Sequence, residues 1–140
     1  MTRIDFHLNV TNHLHYTCRL VRKAYGSGLK MVCYSSNPAL LKELDDLLWT
    51  FSEEDFLPHA MTGAQGLQST PIVLTDKAED VCHYDLLINL DDEWPPFFSR
   101  FERLVEIVGT EEDNKVKARA RYKFYKDRGY PLQTFDRGNV

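Results

Sequence analysis

Two hydrophobic periods alternate along the first third of the chain, and that alternation limits the fold more than any other feature. Ile4, Phe6, Leu8 and Val10 recur at every second position, the signature of a half-buried strand. Thr11 or Asn12 then offers a helix cap. Leu14, Cys18, Val21 and Tyr25 mark a helical stripe that Gly26-Ser27-Gly28 ends. The short apolar run KMVCY, residues 30–34, predicts a buried strand. Asn37-Pro38 sets a cap and a proline at the first helical position. Leu40, Leu41, Leu44, Leu47 and Leu48 supply the next stripe. Strand, helix, strand, helix argues for an α/β sheet with covering helices. Ile72 to Leu74 reads as a short strand. YDLLINL, residues 84–90, is the strongest strand and is expected at the sheet centre. A strand over 104–108 feeds a last helix.

The 140 residues suffice for one domain with a real core, and 43% hydrophobic with 27% charged residues is ordinary for a globular chain. No apolar run reaches the length of a membrane span. The opening MTRIDFHLNV alternates too strictly for a signal peptide. Cys18, Cys33 and Cys82 are widely spaced and form no CxxC pair, so no zinc or redox motif is indicated and a reducing cytoplasm is expected.

Charge is distributed unevenly. Residues 115–128 hold seven basic residues and one acid, a local +6, whereas the rest of the chain carries −10 of the overall −4. A basic face on an acidic protein points to an anionic partner. Thr110 with Glu111, Glu112 and Asp113 suits a helix start, and Gly129 with Pro131 suits its stop. On that helix Lys115, Arg119, Tyr122, Lys123 and Lys126 share one face, while Val116, Ala120 and Phe124 form an adjoining apolar row expected to meet the core. Exposed cations are common, so a solvated face is the bland alternative. The interleaved Tyr122, Phe124, Tyr125 and Tyr130, with Leu132 turning back beside the helix end, favour a ligand. A peptide ending in a hydrophobic residue with a free carboxylate fits. Direct binding of single-stranded nucleic acid by the basic helix is the alternative.

Other motifs carry less. Trp49, Phe51 and Phe56 crowd a short passage around Ser52 and Asp55; they either roof the core or anchor a partner protein. TGAQGLQSTP, residues 62–71, is a loop without a phosphate-binding glycine motif. Asp91-Asp92-Glu93 follows a strand, where α/β active sites gather, yet nothing in the sequence completes a site, and acids before a helix start at Pro95-Pro96 also serve as caps. Phe97, Phe98 and Phe101 read as core or as a contact row. No nucleophile motif appears, and no catalytic residue, metal or cofactor is expected.

Three segments carry a resemblance: LKELDDLLWTFSEEDFLPH over 41–59, YDLLINL over 84–90 and ARARYKFYKDRGYPLQT over 118–134. Together they are similar to the chi subunit of bacterial DNA polymerase III, nearly end to end. The resemblance implies a three-layer α/β/α sandwich with a mostly parallel sheet, Rossmann-like but without a phosphate-binding loop. It implies a non-catalytic adaptor of the clamp-loader assembly that pairs one-to-one with the psi subunit. It also implies binding of the acidic, phenylalanine-ended C-terminal tail of single-stranded DNA-binding protein (SSB). A helicase is implied as another occupant of the psi face, nucleic acid is met only indirectly, and no membrane is involved. Carried over by position, the tail pocket comprises Val108, Arg119, Tyr122, Lys123, Gly129, Leu132 and Thr134, with Lys115 and Lys126 attracting aspartates at longer range. The psi face comprises Trp49, Phe51 and Phe56. The segment after Thr134 departs from the family pattern and is expected either to cover the pocket or to stay disordered.

Overall fold

The alternating N-terminal segment forms β1 (Arg3–Val10). A computed structural model describes residues 1–50, 57–61, 70–77, 81 and 83–138. After β1 come α1 (His13–Gly26), β2 (Met31–Tyr34), α2 (Pro38–Thr50), β3 (His59–Met61), β4 (Ile72–Thr75) and β5 (Leu86–Asn89). A 3₁₀ turn at Phe98–Arg100 precedes β6 (Arg103–Gly109), α3 (Glu112–Asp127) and β7 (Leu132–Asp136). Phe51, Phe56, Cys82 and the loop 62–69 lie outside the described residues.

The described strands form one seven-stranded sheet in the order β3-β4-β2-β5-β6-β1-β7, with every pairing parallel. β5, from the YDLLINL segment, sits at the centre as expected. Its run Leu86–Asn89 is buried at every position, as a strand covered on both faces must be. The pleat sorts side chains between two cores. Met31, Cys33, Leu86, Ile88, Val105 and Ile107 meet α1 and α2. Ile4, Phe6, Val32, Leu87, Leu104 and Val108 meet α3 and the Phe97–Phe98–Phe101 cluster. The result is the expected three-layer α/β arrangement.

Helix starts follow local chemistry. Asn12 caps α1 by accepting from the His15 amide at 3.1 Å. The Asn37 side chain accepts from the Ala39 amide at 3.0 Å, ahead of α2. Several details differ from the sequence expectation. The buried stripe of α1 is Thr17, Cys18, Val21 and Ala24, and Tyr25 is exposed. Pro95-Pro96 opens only a 3₁₀ turn, whose phenylalanines nevertheless bury almost completely. The inward row of α3 is Ala118, Arg121 and Tyr125, while Val116 is 52% exposed and Ala120 lies on the outer side. Phe124 stacks on Trp94 with ring centroids 3.6 Å apart, and the Arg128 guanidinium sits 3.7 Å from the Phe124 centroid. The rotation of α3 is therefore set by its tertiary partners, not by its most apolar row.

Of the described residues beyond Thr134, Phe135 and Asp136 join the sheet and the Arg137 amide donates to the Leu8 carbonyl at 2.8 Å, whereas residues 139–140 lie outside the described residues. Phe135 and Asp136 complete β7, which pairs with β1 from Ile4↔Leu132 to Leu8↔Asp136. α3 itself ends in a Schellman motif. The Tyr130 amide donates to the Tyr125 carbonyl (3.2 Å) and the Gly129 amide to the Lys126 carbonyl (3.0 Å), with Gly129 at φ +81°. A Cβ at Gly129 would meet no atom within 4 Å, so only backbone strain opposes substitution. Gly129→Ala is expected to cost about 1–2 kcal/mol, the strain of a left-handed residue, in urea unfolding followed by circular dichroism; an unchanged midpoint would contradict this account of the turn.

Candidate functional site

A groove of about 240 Å³ opens between α3 and the β1–β7 edge. Phe6, Leu8 and Asn9 line it from β1, and Val108 from the end of β6. Lys115, Ala118, Arg119 and Tyr122 line it from α3, and Thr134 from β7. Its shape has a local cause. α3 turns Ala118 inward, and a methyl group leaves space between helix and sheet that a larger side chain would fill. Four residues further along, Tyr122 closes the gap. Tyr122 meets Phe6 edge-on with centroids 5.3 Å apart. At the far end, β1 changes register between His7 and Val10, and Asn9 adopts φ 61°. That irregularity aims Asn9 at Asp136, to which its side-chain amide donates at 3.1 Å.

The floor is apolar and the rim is cationic. Arg119 pairs with Glu112 at 3.4 Å, but the two side chains are 68% and 75% exposed. Such a contact contributes about 0–1 kcal/mol and yields readily to a better-placed carboxylate. Among the described residues no acid lies within ion-pair distance of Lys115, Lys123 or Lys126. Lys117, by contrast, is committed to Asp92 at 3.1 Å and Asp113 at 3.5 Å.

The groove thus brings together Val108, Arg119, Tyr122 and Thr134 of the residues anticipated from sequence, with Lys115 at its rim. Lys123 is exposed beside it, Leu132 packs half-buried in the core beneath α3, and Gly129 ends the helix; none of these three lines the cavity. Phe6, Leu8, Asn9 and Ala118 were not anticipated. The two apolar strand residues were visible in the sequence as a pattern, but their place beside the helix depends on β7 pairing with β1. Trp49, at the end of α2, is 54% exposed and its ring lies 4.4 Å from that of His59. Phe51 and Phe56 fall outside the described residues.

Arg121 contributes to the +6 charge of residues 115–128 but points into the protein. It is 4% exposed and donates through Nε to Glu106 Oε1 at 3.0 Å and through Nη1 to the Asp92 carbonyl at 2.6 Å. Glu106 is wholly buried. It also accepts from the Tyr125 hydroxyl at 2.6 Å and from the Asn89 amide at 3.0 Å. Burial pushes the Glu106 carboxyl upward from its ordinary range, and the Arg121 charge with the surrounding donors opposes that push. Burial and the neighbouring Glu106 also raise the Tyr125 phenol far above its usual value, so it remains a donor. The acidic run Asp91-Asp92-Glu93 serves this framework. Asp91 accepts from Ser36 at 2.9 Å, and the Glu93 carbonyl accepts from Asn89 at 3.1 Å. Among the described residues no three His, Cys, Asp or Glu side chains are grouped to hold a metal.

A sequence model of the family described as DNA polymerase III chi subunit, HolC, matches residues 1–133. The chain belongs to that family. A chi subunit from Pseudomonas aeruginosa is 36% identical over 137 residues, which cover 95% of each chain. Chi subunits from Haemophilus influenzae and Escherichia coli are 31% and 27% identical over 118 residues, 84% of this chain and 82% and 80% of theirs. Membership places this chi-family chain with DNA polymerase III and so with DNA replication. Among solved structures, the C-terminal domain of the DEAD-box protein Dbp5 superposes with a TM-score of 0.64 at 10% identity, covering 96% of this chain and 90% of that one, a likeness of fold alone. Among the described residues no helix is long and apolar enough to cross a membrane.

The two arginines of α3 are expected to behave differently. Arg121→Ala leaves the Glu106 carboxylate buried without its counter-charge and should lose about 3–5 kcal/mol of stability. Lys123→Ala and Arg119→Ala should stay within about 0.5 kcal/mol of the parent. Urea unfolding of the three variants measures the contrast, and similar losses in all three would show that the helix is not oriented as described.

Proposed function

We propose that this chain is an adaptor of the DNA polymerase III clamp-loader assembly whose α3–β7 groove captures the acidic, phenylalanine-ended C-terminal tail of SSB. The observation that carries the proposal is the pairing of an apolar floor (Phe6, Val108, Ala118, Tyr122) with a cationic rim (Lys115, Arg119) in one groove. The terminal ring would enter the apolar part. Arg119 would exchange its weak contact with Glu112 for the chain-terminal carboxylate, a charge-assisted bond. Lys123 and Lys126, without acidic partners among the described residues, would draw the aspartates of the tail through longer-range attraction. The psi subunit would pair one-to-one at the separate surface that carries Trp49, the surface a helicase would share. The family membership and the exposure of Trp49 support that second part. On this reading the chain performs no catalysis of its own and meets nucleic acid through SSB.

The test is fluorescence anisotropy of a labelled SSB tail peptide, against the same peptide without its final phenylalanine. The full tail should bind with a dissociation constant on the order of micromolar, as befits a small, partly solvated contact, and more weakly as salt screens the rim. The shortened peptide should bind at least tenfold less well, about 1.4 kcal/mol. Arg119→Ala should cost about 1–3 kcal/mol of binding without loss of fold. Trp49→Ala should weaken co-purification with psi and leave the tail affinity intact. Equal binding of the two peptides, or a salt-independent affinity, would sink the groove assignment. Displacement of the peptide by an oligonucleotide at physiological salt would favour direct strand binding by α3 instead.

A further inference from the structure

A second cavity, of about 440 Å³, lies on the opposite face of the sheet, between α1 and the β6–β1–β7 edge. Its existence follows from coverage. Seven strands about 4.8 Å apart make a sheet roughly 29 Å wide, whereas two helices packed about 9 Å apart cover roughly 20 Å. α2 packs on β3 and β4 and α1 on β6, so β1 and β7 extend past the helical layer. The side chains that the pleat turns to this open face are mostly polar where a core would require apolar ones. They are Arg3, Asp5 and His7 from β1, and Gln133 and Phe135 from β7, with Arg137 just beyond.

The charge here is concentrated and incompletely satisfied. Arg3, Arg103, Arg19, Lys23 and Arg137 face the cavity, and Asp5 supplies its one carboxylate. Asp5 is 2% exposed and holds Arg103 at 3.1 Å and Arg3 at 3.8 Å through Oδ2. Among the described residues Arg19, Lys23 and Arg137 have no acidic partner. Three buried polar atoms at the cavity also lack a hydrogen-bond partner: Asp5 Oδ1, Arg103 Nε and Arg137 Nε. Buried unpaired polar atoms are rare in a folded protein, and a cluster of them around one cavity calls for a ligand that satisfies them.

The same cavity presents rings. His7 lies edge-on to Tyr16 and to Phe135, with centroids at 5.6 and 5.5 Å, and its Nδ1 is hydrogen-bonded to the Tyr16 hydroxyl. Arg19 sits 5.8 Å from the Tyr16 centroid and Arg137 5.5 Å from that of Phe135. Burial and the nearby Arg137 lower the His7 imidazole to about 4, so it is a neutral surface at physiological pH.

We propose that this cavity is a binding site for a nucleoside phosphate. The arginines and Lys23 take the phosphates, the Tyr16–His7–Phe135 wall takes the base, and Asp5 Oδ1 accepts from a hydroxyl or amino group. The free volume is that of an ordinary small-molecule site. The ligand is either a free nucleotide or one unit of a strand, since both carry the same chemistry. The proposal is independent of the tail groove, which lies across the sheet and shares no lining residue with this cavity.

Amide NMR spectra of the whole 140-residue chain, titrated at physiological salt, provide the test. ATP is expected to shift amides of β1, α1 and β7 saturably. Adenosine, without phosphates, and tripolyphosphate, without a base, are each expected to bind more weakly. Charge reversal at the exposed positions, Arg19→Glu with Lys23→Glu, should weaken ATP about tenfold or more, given the strength of charge-assisted contacts, with the rest of the spectrum unchanged. Arg19→Lys with Lys23→Arg should retain binding. The proposal is overturned by an absence of saturable shifts, by shifts that map to α3, or by unchanged affinity after charge reversal. Tripolyphosphate binding as tightly as ATP would remove the base subsite. A short oligothymidylate that displaces ATP from the same amides would identify a strand as the source of the nucleotide.

Discussion

The buried carboxylate of Glu106 is the contact on which the rest of the architecture turns. It lies on β6, next to the central strand, and receives Asn89 from β5 together with Arg121 and Tyr125 from α3. A buried ion pair seldom adds net stability, because desolvation consumes most of the Coulombic gain. What this one supplies is orientation. Every donor around Glu106 is satisfied only when α3 presents Arg121 and Tyr125 to the sheet. That rotation carries Ala118 to the inner side and Arg119 and Lys123 to the outer side. The tail groove is therefore a consequence of an ion pair that does not line it.

The same rotation explains the charge distribution on α3. Six cations on α3 and a seventh at its C-cap, Arg128, suggest a uniformly basic rod. In the folded chain Arg121 is neutralised inside, Lys117 is bound to Asp92 and Asp113, and Arg128 lies on Phe124. The cations left beside the groove are Lys115, Arg119, Lys123 and Lys126. This smaller set suits a short acidic peptide better than a long polyanion, which would draw on the whole row.

The edge strand β7 links the two cavities. Its pleat turns Thr134 toward α3 and Phe135 toward α1, so one five-residue strand contributes a wall to each side. The sheet between them has different company on its two faces. Over β1 the α3 side is packed by Tyr122 and Tyr125, whose rings lie 5.3 and 6.1 Å from that of Phe6. The α1 side stays open there and polar. Asp5, His7 and Arg103 can be tolerated so close to the core because the helical layer stops short of them.

The periodicity of the chain was enough to place most of the described strands together with α1 and α2, because burial on a pleat or on one helical stripe imposes its period locally, while start and stop signals and charge placed α3. Asn12, Pro38 and Gly129 punctuated those elements by backbone rules that involve only near neighbours. The composition of α3 likewise announced an anion-binding face. The rotation of α3 was not legible: Val116, Ala120 and Phe124 look like its inward row, and only Glu106 and Trp94, from elsewhere in the chain, reveal otherwise. Nor was the pairing of β7 with β1, which brings residues such as Asn9 and Asp136 together across 127 positions of sequence. The sequence by itself determined which segments are strands and helices and how much charge they carry. Tertiary structure alone decided which charges are buried, which pair, and where two cavities open, because those outcomes depend on contacts between residues that no local pattern connects.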